Sequence, residues 1–307
     1  MFSKYYGNCI DFYYARVYNN YIKEVKCLKI QILNNKFVKI TAAILLFAIY
    51  VLIYLQAGAA YIENTWEAWK PDYEKADLTE LLLKSELSDE DYELIYQQTG
   101  LTRLGVDPLL SEGNIGEILR IQDSFFSERD YFYNYFAPFT GQFEKSRGRY
   151  PNAPLSDGDI IFCPATFLSS SVLGHTAIVV DGKVGRIAEA YGFGSGFDTT
   201  LKASFFIYPA FVILRPKVDE DIKKQVAQYT KDELIGAEYD IFAGLFEEKA
   251  PDTLERTHCS HSVWYAYNKF GIDLDSNGGK IVTPTDILNS PYLEVVQVFG
   301  MDINDFR

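Results

Sequence analysis

The chain has 307 residues, 48% of them hydrophobic and 16% aromatic, a composition that excludes an intrinsically disordered protein and allows one or two packed domains. Its net charge of −13 is unevenly placed: residues 1–39 carry +5 (seven basic, two acidic), which leaves −18 for the rest. So acidic a surface repels phosphate backbones, and nucleic acid is excluded as a partner.

Residues 1–39 form a basic N-terminal segment. From Ile40 to Ile62 the chain then runs 23 residues without a charge. At ~1.5 Å per residue, a helix of that length covers the ~30 Å hydrocarbon core of a bilayer. No polar face interrupts the run, which argues for a transmembrane anchor over 40–62 and against a buried core helix. The basic flank lies before the span, and Glu63, Glu67, Asp72 and Glu74 follow it. The positive-inside rule therefore predicts a single-pass protein of the cell membrane with its C-terminal part extracytoplasmic. Ala57-Gly58-Ala59 offers a small-residue cleavage site, but 39 residues make a long leader, and the span is read as an uncleaved anchor. Cys9 and Cys27 precede the span, and Cys163 and Cys259 follow it. One disulfide could join the later pair, although two cysteines 96 residues apart are no disulfide framework.

Residues 63–150 read as a helical segment. Ser88-Asp89-Glu90-Asp91 predicts a capped helix start, and Gly100 follows its last turn. Ile115, Ile118, Leu119, Gln122 and Phe125-Phe126 fit a second amphipathic helix. The Gly, Pro, Arg and Ser of 141–158 mark a boundary, and 151–307 is the candidate catalytic domain. There the period becomes strand-like, in Asp159–Cys163, Thr176–Val180, Val184–Ala190, Ala210–Leu214 and Leu293–Phe299. Two helices interrupt these runs, one through Val218, Ile222, Val226 and Tyr229, the other from Cys259 to Phe270. The pattern predicts an α+β fold with a mostly antiparallel sheet.

Of three histidines in the chain, two flank one cysteine in Thr257-His258-Cys259-Ser260-His261-Ser262. At the first turn of a helix, exposed N–H groups and the positive end of the dipole favour thiolate. Cys259, Val263, Ala266 and Phe270 share a helical face, so the thiol faces the sheet, where a strand can present a base. His175 opens the strand Gly174–Val180, ahead of the turn Asp181-Gly182. A three-residue bulged loop would pair Val180 with Val184 and set His175 opposite Glu189 on one face. A carboxylate there holds the imidazole and stabilises imidazolium, as the third member of a triad does.

Asp157-Gly-Asp-Ile-Ile-Phe162, Gly174-His-Thr-Ala-Ile-Val-Val-Asp-Gly182, Ala188-Glu-Ala190, Gly236-Ala-Glu-Tyr-Asp240, Cys259-Ser260 with Val263, and Thr283-Pro-Thr-Asp286 occur in that order. Over residues 157–290 this resembles the permuted papain-fold amidases of the YaeF/YiiX type, distant relatives of the NlpC-type cell-wall peptidases. The histidine strand precedes the cysteine helix, as in the permuted branch. The resemblance implies a permuted papain-like fold with Cys259 as nucleophile, His175 as base, Glu189 as orienting residue and Tyr239 lining the substrate site. It implies a membrane-anchored cysteine amidase or peptidase acting through a thioester, with a peptide substrate in peptidoglycan and no cofactor. Two positions depart from the family pattern: His261 stands where a Glu is usual, and His258 directly precedes the nucleophile. Cys-x-His is similar instead to the lecithin retinol acyltransferase relatives, which implies an alternative lipid-directed acyl hydrolase or acyltransferase. Two further rivals are a zinc site built on His258, Cys259, His261 and His175, and a non-catalytic binding module on the same fold. Against zinc, His258 and His261 share a helical face that excludes Cys259, so no metal is expected.

Overall fold

The computed structural model describes residues 18–26, 36–66, 69–136, 139–145, 150–164, 166–168, 171–192, 194–202 and 205–306. Cys9, Cys27 and most of the basic segment lie outside them. The chain divides into two compact units, Met1–Ala57 and Gly58–Arg307.

The first unit holds α1 (residues 18–26) and most of α2 (Lys36–Thr65). Among the described residues α2 alone is long and apolar enough to cross a membrane, and none of its most apolar stretch is buried by protein. Ile44, Leu45, Leu46 and Phe47 are all exposed. The helix exceeds the expected 40–62 span at both ends because nothing in its flanking turns breaks a helix. Its last turns, from Gly58, count with the second unit, where Gly58, Ala59 and Ile62 are buried.

In the second unit come α3 (Asp89–Thr99), α4 (Arg103–Ser111) and α5 (Ile115–Phe126). The Ser88 capping box with Asp91 starts α3, and Gly100 in left-handed conformation ends it, as its sequence predicts. The helical character then stops. Residues 131–144, expected within a helical segment, form the hairpin β1 (Tyr131–Phe136) and β2 (Phe139–Glu144). The run Tyr-Phe-Tyr-Asn-Tyr-Phe has strand propensity that its position after two helices obscured. The short strands β4 (Thr166–Leu168) and β5 (Ser171–Val172) extend this hairpin to a four-stranded sheet.

The main sheet has six strands, all antiparallel: β3 (Ile160–Cys163), β6 (His175–Asp181), β7 (Arg186–Ala190), β8 (Phe197–Leu201), β9 (Phe211–Pro216) and β12 (Leu293–Phe299), in the order β12-β9-β3-β6-β7-β8. Five of these match predicted runs to within about two residues; β8 was not foreseen, because Phe-Asp-Thr-Thr-Leu is short and largely polar. Against β6 pack α6 (Glu220–Tyr229) and α7 (Cys259–Asn268), burying Val226, Val263 and Ala266. The helices α3 to α5 lie instead at the β12 edge. There Val298 N–H donates to Gly100 O at 2.9 Å and Thr102 N–H to Val296 O at 3.0 Å. Two short parallel strands, β10 (Glu238–Tyr239) and β11 (Arg256–Thr257), and α8 (Pro284–Leu288) complete the fold.

The Asp157-Gly158 turn joins α7 to the sheet. Gly158 has φ +82°, and a Cβ there would come within 2.6 Å of the Tyr267 hydroxyl. That hydroxyl, from α7, donates to Gly158 O at 2.5 Å. Beside it, Asp159 is fully buried and takes a two-pronged contact from Arg215 of β9, at 2.9 and 2.7 Å.

Candidate active site

His258 caps α7, so Cys259 is its first residue, as the sequence predicts. Its side chain meets His175, the first residue of β6, whose imidazole hydrogen-bonds the thiol. On the other side of the ring, His175 Nε2 lies 2.7 Å from Glu189 Oε2 on β7. With Nε2 engaged, Nδ1 is the ring nitrogen left for the sulfur. All three side chains are brought together.

The register that achieves this differs from the expected one. Four residues, not three, separate Asp181 from Arg186, and the pairing Ile178↔Ala188, Val179↔Ile187 is followed by a bulge. One step further along this register, Glu189 faces Ala177, not His175. His175 and Ala177 project from the same face of β6, so Glu189 reaches the imidazole diagonally. The predicted pair survives because the register moves by two positions, which preserves the face.

Three neighbours that sequence reading missed hold the imidazole and its carboxylate. Thr200 of β8 donates its hydroxyl to Glu189 Oε1 at 2.8 Å. Phe205 stacks on the His175 ring, with centroids 5.4 Å apart and planes 17° from parallel, and Tyr208 lies 6.4 Å away. Thr200 sits on the unforeseen strand, and nothing in the local pattern at Phe205 and Tyr208 points to a histidine. Gly174, at φ +74°, lets the chain enter β6 close to Phe162 and Pro284, where a Cβ would lie 2.9 Å and 3.2 Å away.

Electrostatics follow this geometry. Burial opposes charge on His175, but its hydrogen bonds to Cys259 and Glu189 outweigh it and raise the imidazole to about 10. Burial likewise opposes the Cys259 thiolate, yet contacts with His175 and then His258 hold the thiol well below its ordinary value. Both shifts run in the direction that favours a thiolate–imidazolium pair. Cys163, which pairs with His175 across β3 and β6, is buried, and neither it nor Cys259 is in a disulfide.

Tyr239 lines the cavity above the thiol, and burial, with the nearby Cys259 charge, pushes its phenol up. The cavity has a volume of about 260 Å³. Its walls include Val172 and Leu173, Tyr191 and Tyr208, and Ile241, Ile281, Val282 and Pro284. Apart from the His175–Cys259 pair and His258, no ionic side chain lines it among the described residues. The Thr283–Asp286 motif serves as the capping box of α8 and presents Thr283, Pro284 and Thr285 to the same cavity.

The neighbouring His261 is engaged elsewhere. His261 Nε2 donates to Lys249 O at 2.8 Å and Nδ1 lies 3.1 Å from Thr257 Oγ1. Burial, chiefly, lowers that imidazole to about 4. Among the described residues no three His, Cys, Asp or Glu side chains gather as a metal site would require. Comparison with protein-family models, curated proteins and solved structures finds no match for this chain.

Proposed function

We propose that this chain is a membrane-anchored cysteine hydrolase of permuted papain-like fold, with Cys259, His175 and Glu189 as its triad. The observation that carries the reading is the placement of the half-buried Cys259 thiol at a helix N-terminus beside the buried His175, with Glu189 2.7 Å behind the imidazole and a cavity in front. The thiolate attacks an amide or ester carbonyl, and His175 returns its proton to the leaving group. Water, deprotonated by the now neutral His175, then cleaves the thioester. Glu189 keeps the ring oriented without moving protons. Backbone N–H groups in the first turn of α7 are suited to the oxyanion.

With the basic flank of α2 in the cytoplasm, the catalytic unit lies outside, where a cell-wall peptide amide is the substrate that the family resemblance suggests. The cavity favours a second reading. Cell-wall peptides carry carboxylates, and among the described residues no cation lines the walls to receive one beyond the His175 imidazolium and His258. An aliphatic acyl group, as in lipids, suits Val172, Leu173, Ile241 and Ile281 better.

The test is covalent labelling of the full chain in detergent micelles by thiol-directed acyl probes, one peptidic and one fatty-acyl. Labelling of Cys259 by either supports the hydrolase, and the faster probe names the substrate class. A Cys259 thiol that titrates near 9, whether or not His175 is present, would instead make the domain a non-catalytic binding module.

A further inference from the structure

His258 holds the N-cap of α7 with extended backbone, φ −125° and ψ 175°. Its Nδ1 accepts the backbone N–H of His261 at 3.4 Å, a role open only to a nitrogen without a proton. Ser260 Oγ lies 3.3 Å from the same Nδ1, but the Ser260 hydroxyl donates to Val282 O at 2.7 Å. The neutral ring therefore carries its proton on Nε2.

That Nε2 is buried and meets no hydrogen-bond partner. The whole residue is only 6% exposed, and it lines the cavity that contains Cys259 and His175. A buried donor with no acceptor beyond the Cys259 sulfur is poorly satisfied in the resting protein. It is useful where a second acceptor arises during reaction. In the resting site His258 helps stabilise the Cys259 thiolate, after His175. During attack the sulfur electron pair forms the C–S bond and the carbonyl π pair moves onto oxygen. Charge thus leaves the sulfur for an atom one bond beyond the new link, in the cavity whose wall His258 shares with Cys259. When the intermediate collapses, that pair re-forms the carbonyl, and the leaving group departs with the proton from His175.

We propose that His258 is a further catalytic residue, whose Nε2–H is the side-chain donor of the oxyanion hole. The proposal rests on the hydrolase reading and adds to it the residue that binds the reacting oxygen.

Two substitutions separate the cap from the donor. H258N keeps an acceptor for the His261 N–H but loses the deeper donor, whereas H258Q places an amide N–H where Nε2 stood. The full chain in micelles is acylated with p-nitrophenyl butyrate and, separately, alkylated with iodoacetamide, at a pH where alkylation has reached its plateau. Alkylation needs the thiolate but develops no oxyanion. H258N should slow acylation by about 10²–10³-fold in kcat with little change in KM. H258Q should recover most of that loss, and alkylation should be unchanged in both. Equal losses in acylation and alkylation would overturn the proposal, since His258 would then serve the thiolate only. Unchanged acylation in H258N would overturn it as well. A wild-type chain that alkylates at Cys259 but acylates with no ester would overturn the hydrolase reading and this proposal together.

Discussion

His175 and His261 are both almost wholly buried, yet they are driven in opposite directions, one raised to about 10 and the other lowered to about 4. Burial acts on both in the same sense, against the charged ring. The difference lies in their partners. His175 stands between a thiolate and a carboxylate, so its charge is doubly compensated. His261 meets a carbonyl and a hydroxyl, neither of which carries the negative charge that would offset burial. A buried histidine thus becomes a candidate base or a fixed internal strut according to the neighbours at its two nitrogens.

The largest expected effect comes from breaking the compensated side. C259A should abolish hydrolysis, because the other thiol beside His175, Cys163, is fully buried and does not line the cavity. H175A should cost about 10³-fold or more in kcat, since members of one catalytic unit act non-additively. By contrast H261Q should leave the hydrolysis rate close to wild type, and a comparable loss there would erase the contrast. E189Q should cost less than H175A, on the order of 10–100-fold, because the carboxylate orients the ring without exchanging protons. It should also lower the His175 pKa, which a pH titration of Cys259 alkylation reads out.

Stability against pH is a separate readout, and here the two sites carry different signatures. In the unfolded chain His titrates near 6.5 and Cys near 9. Between those values both states of the Cys259–His175 pair bind one proton, so the pair adds no pH dependence there. Below 6.5 the unfolded chain binds the extra proton. Above 9 it has lost both, while the folded pair keeps one until about 10. Stability from the pair therefore falls on both sides of a plateau. His261 acts on the acid side alone. Its folded pKa lies below the unfolded one, so stability declines as pH falls from about 6.5 to about 4, by on the order of 3 kcal/mol. Thermal melts of wild type and H261Q at pH 7 and pH 4.5 should show this part of the acid loss only in wild type. Equal acid losses would mean that His261 is not held neutral.

Much of the site was legible in the sequence because its signals are local. A helix start at Cys259, a strand opening at His175 and a shared face for Glu189 each follow from periodicity and turn residues. The Glu189 pairing survived a misjudged loop length only because a strand has period two. What was illegible is assembled from far apart. Thr200 and Phe205 reach the triad through β8 and the segment after it, and the cavity wall joins Val172, Ile241 and Ile281 from three separate stretches. The cap role of His258 was hidden for a different reason. Histidine is not among the usual capping residues, so Thr257-His258 reads as a plain approach to the helix.

The order of strands has a consequence for how the second unit is made. β12 follows every other strand in the chain, yet it lies between β9 and the α3–α4 junction, and Phe299 at its end packs on Phe125, Tyr150 and Phe211. During synthesis the long edge of β9 stays unpaired, and the helices made first lack the strand they lean on, until residues 293–299 emerge. The half of the sheet that carries His175 and Glu189, β3-β6-β7-β8, can pair earlier, since its strands lie closer in sequence. Completion of the core is thereby deferred to the last contacts to form, and a nascent chain stalled before β12 would expose a sheet edge open to pairing with other chains.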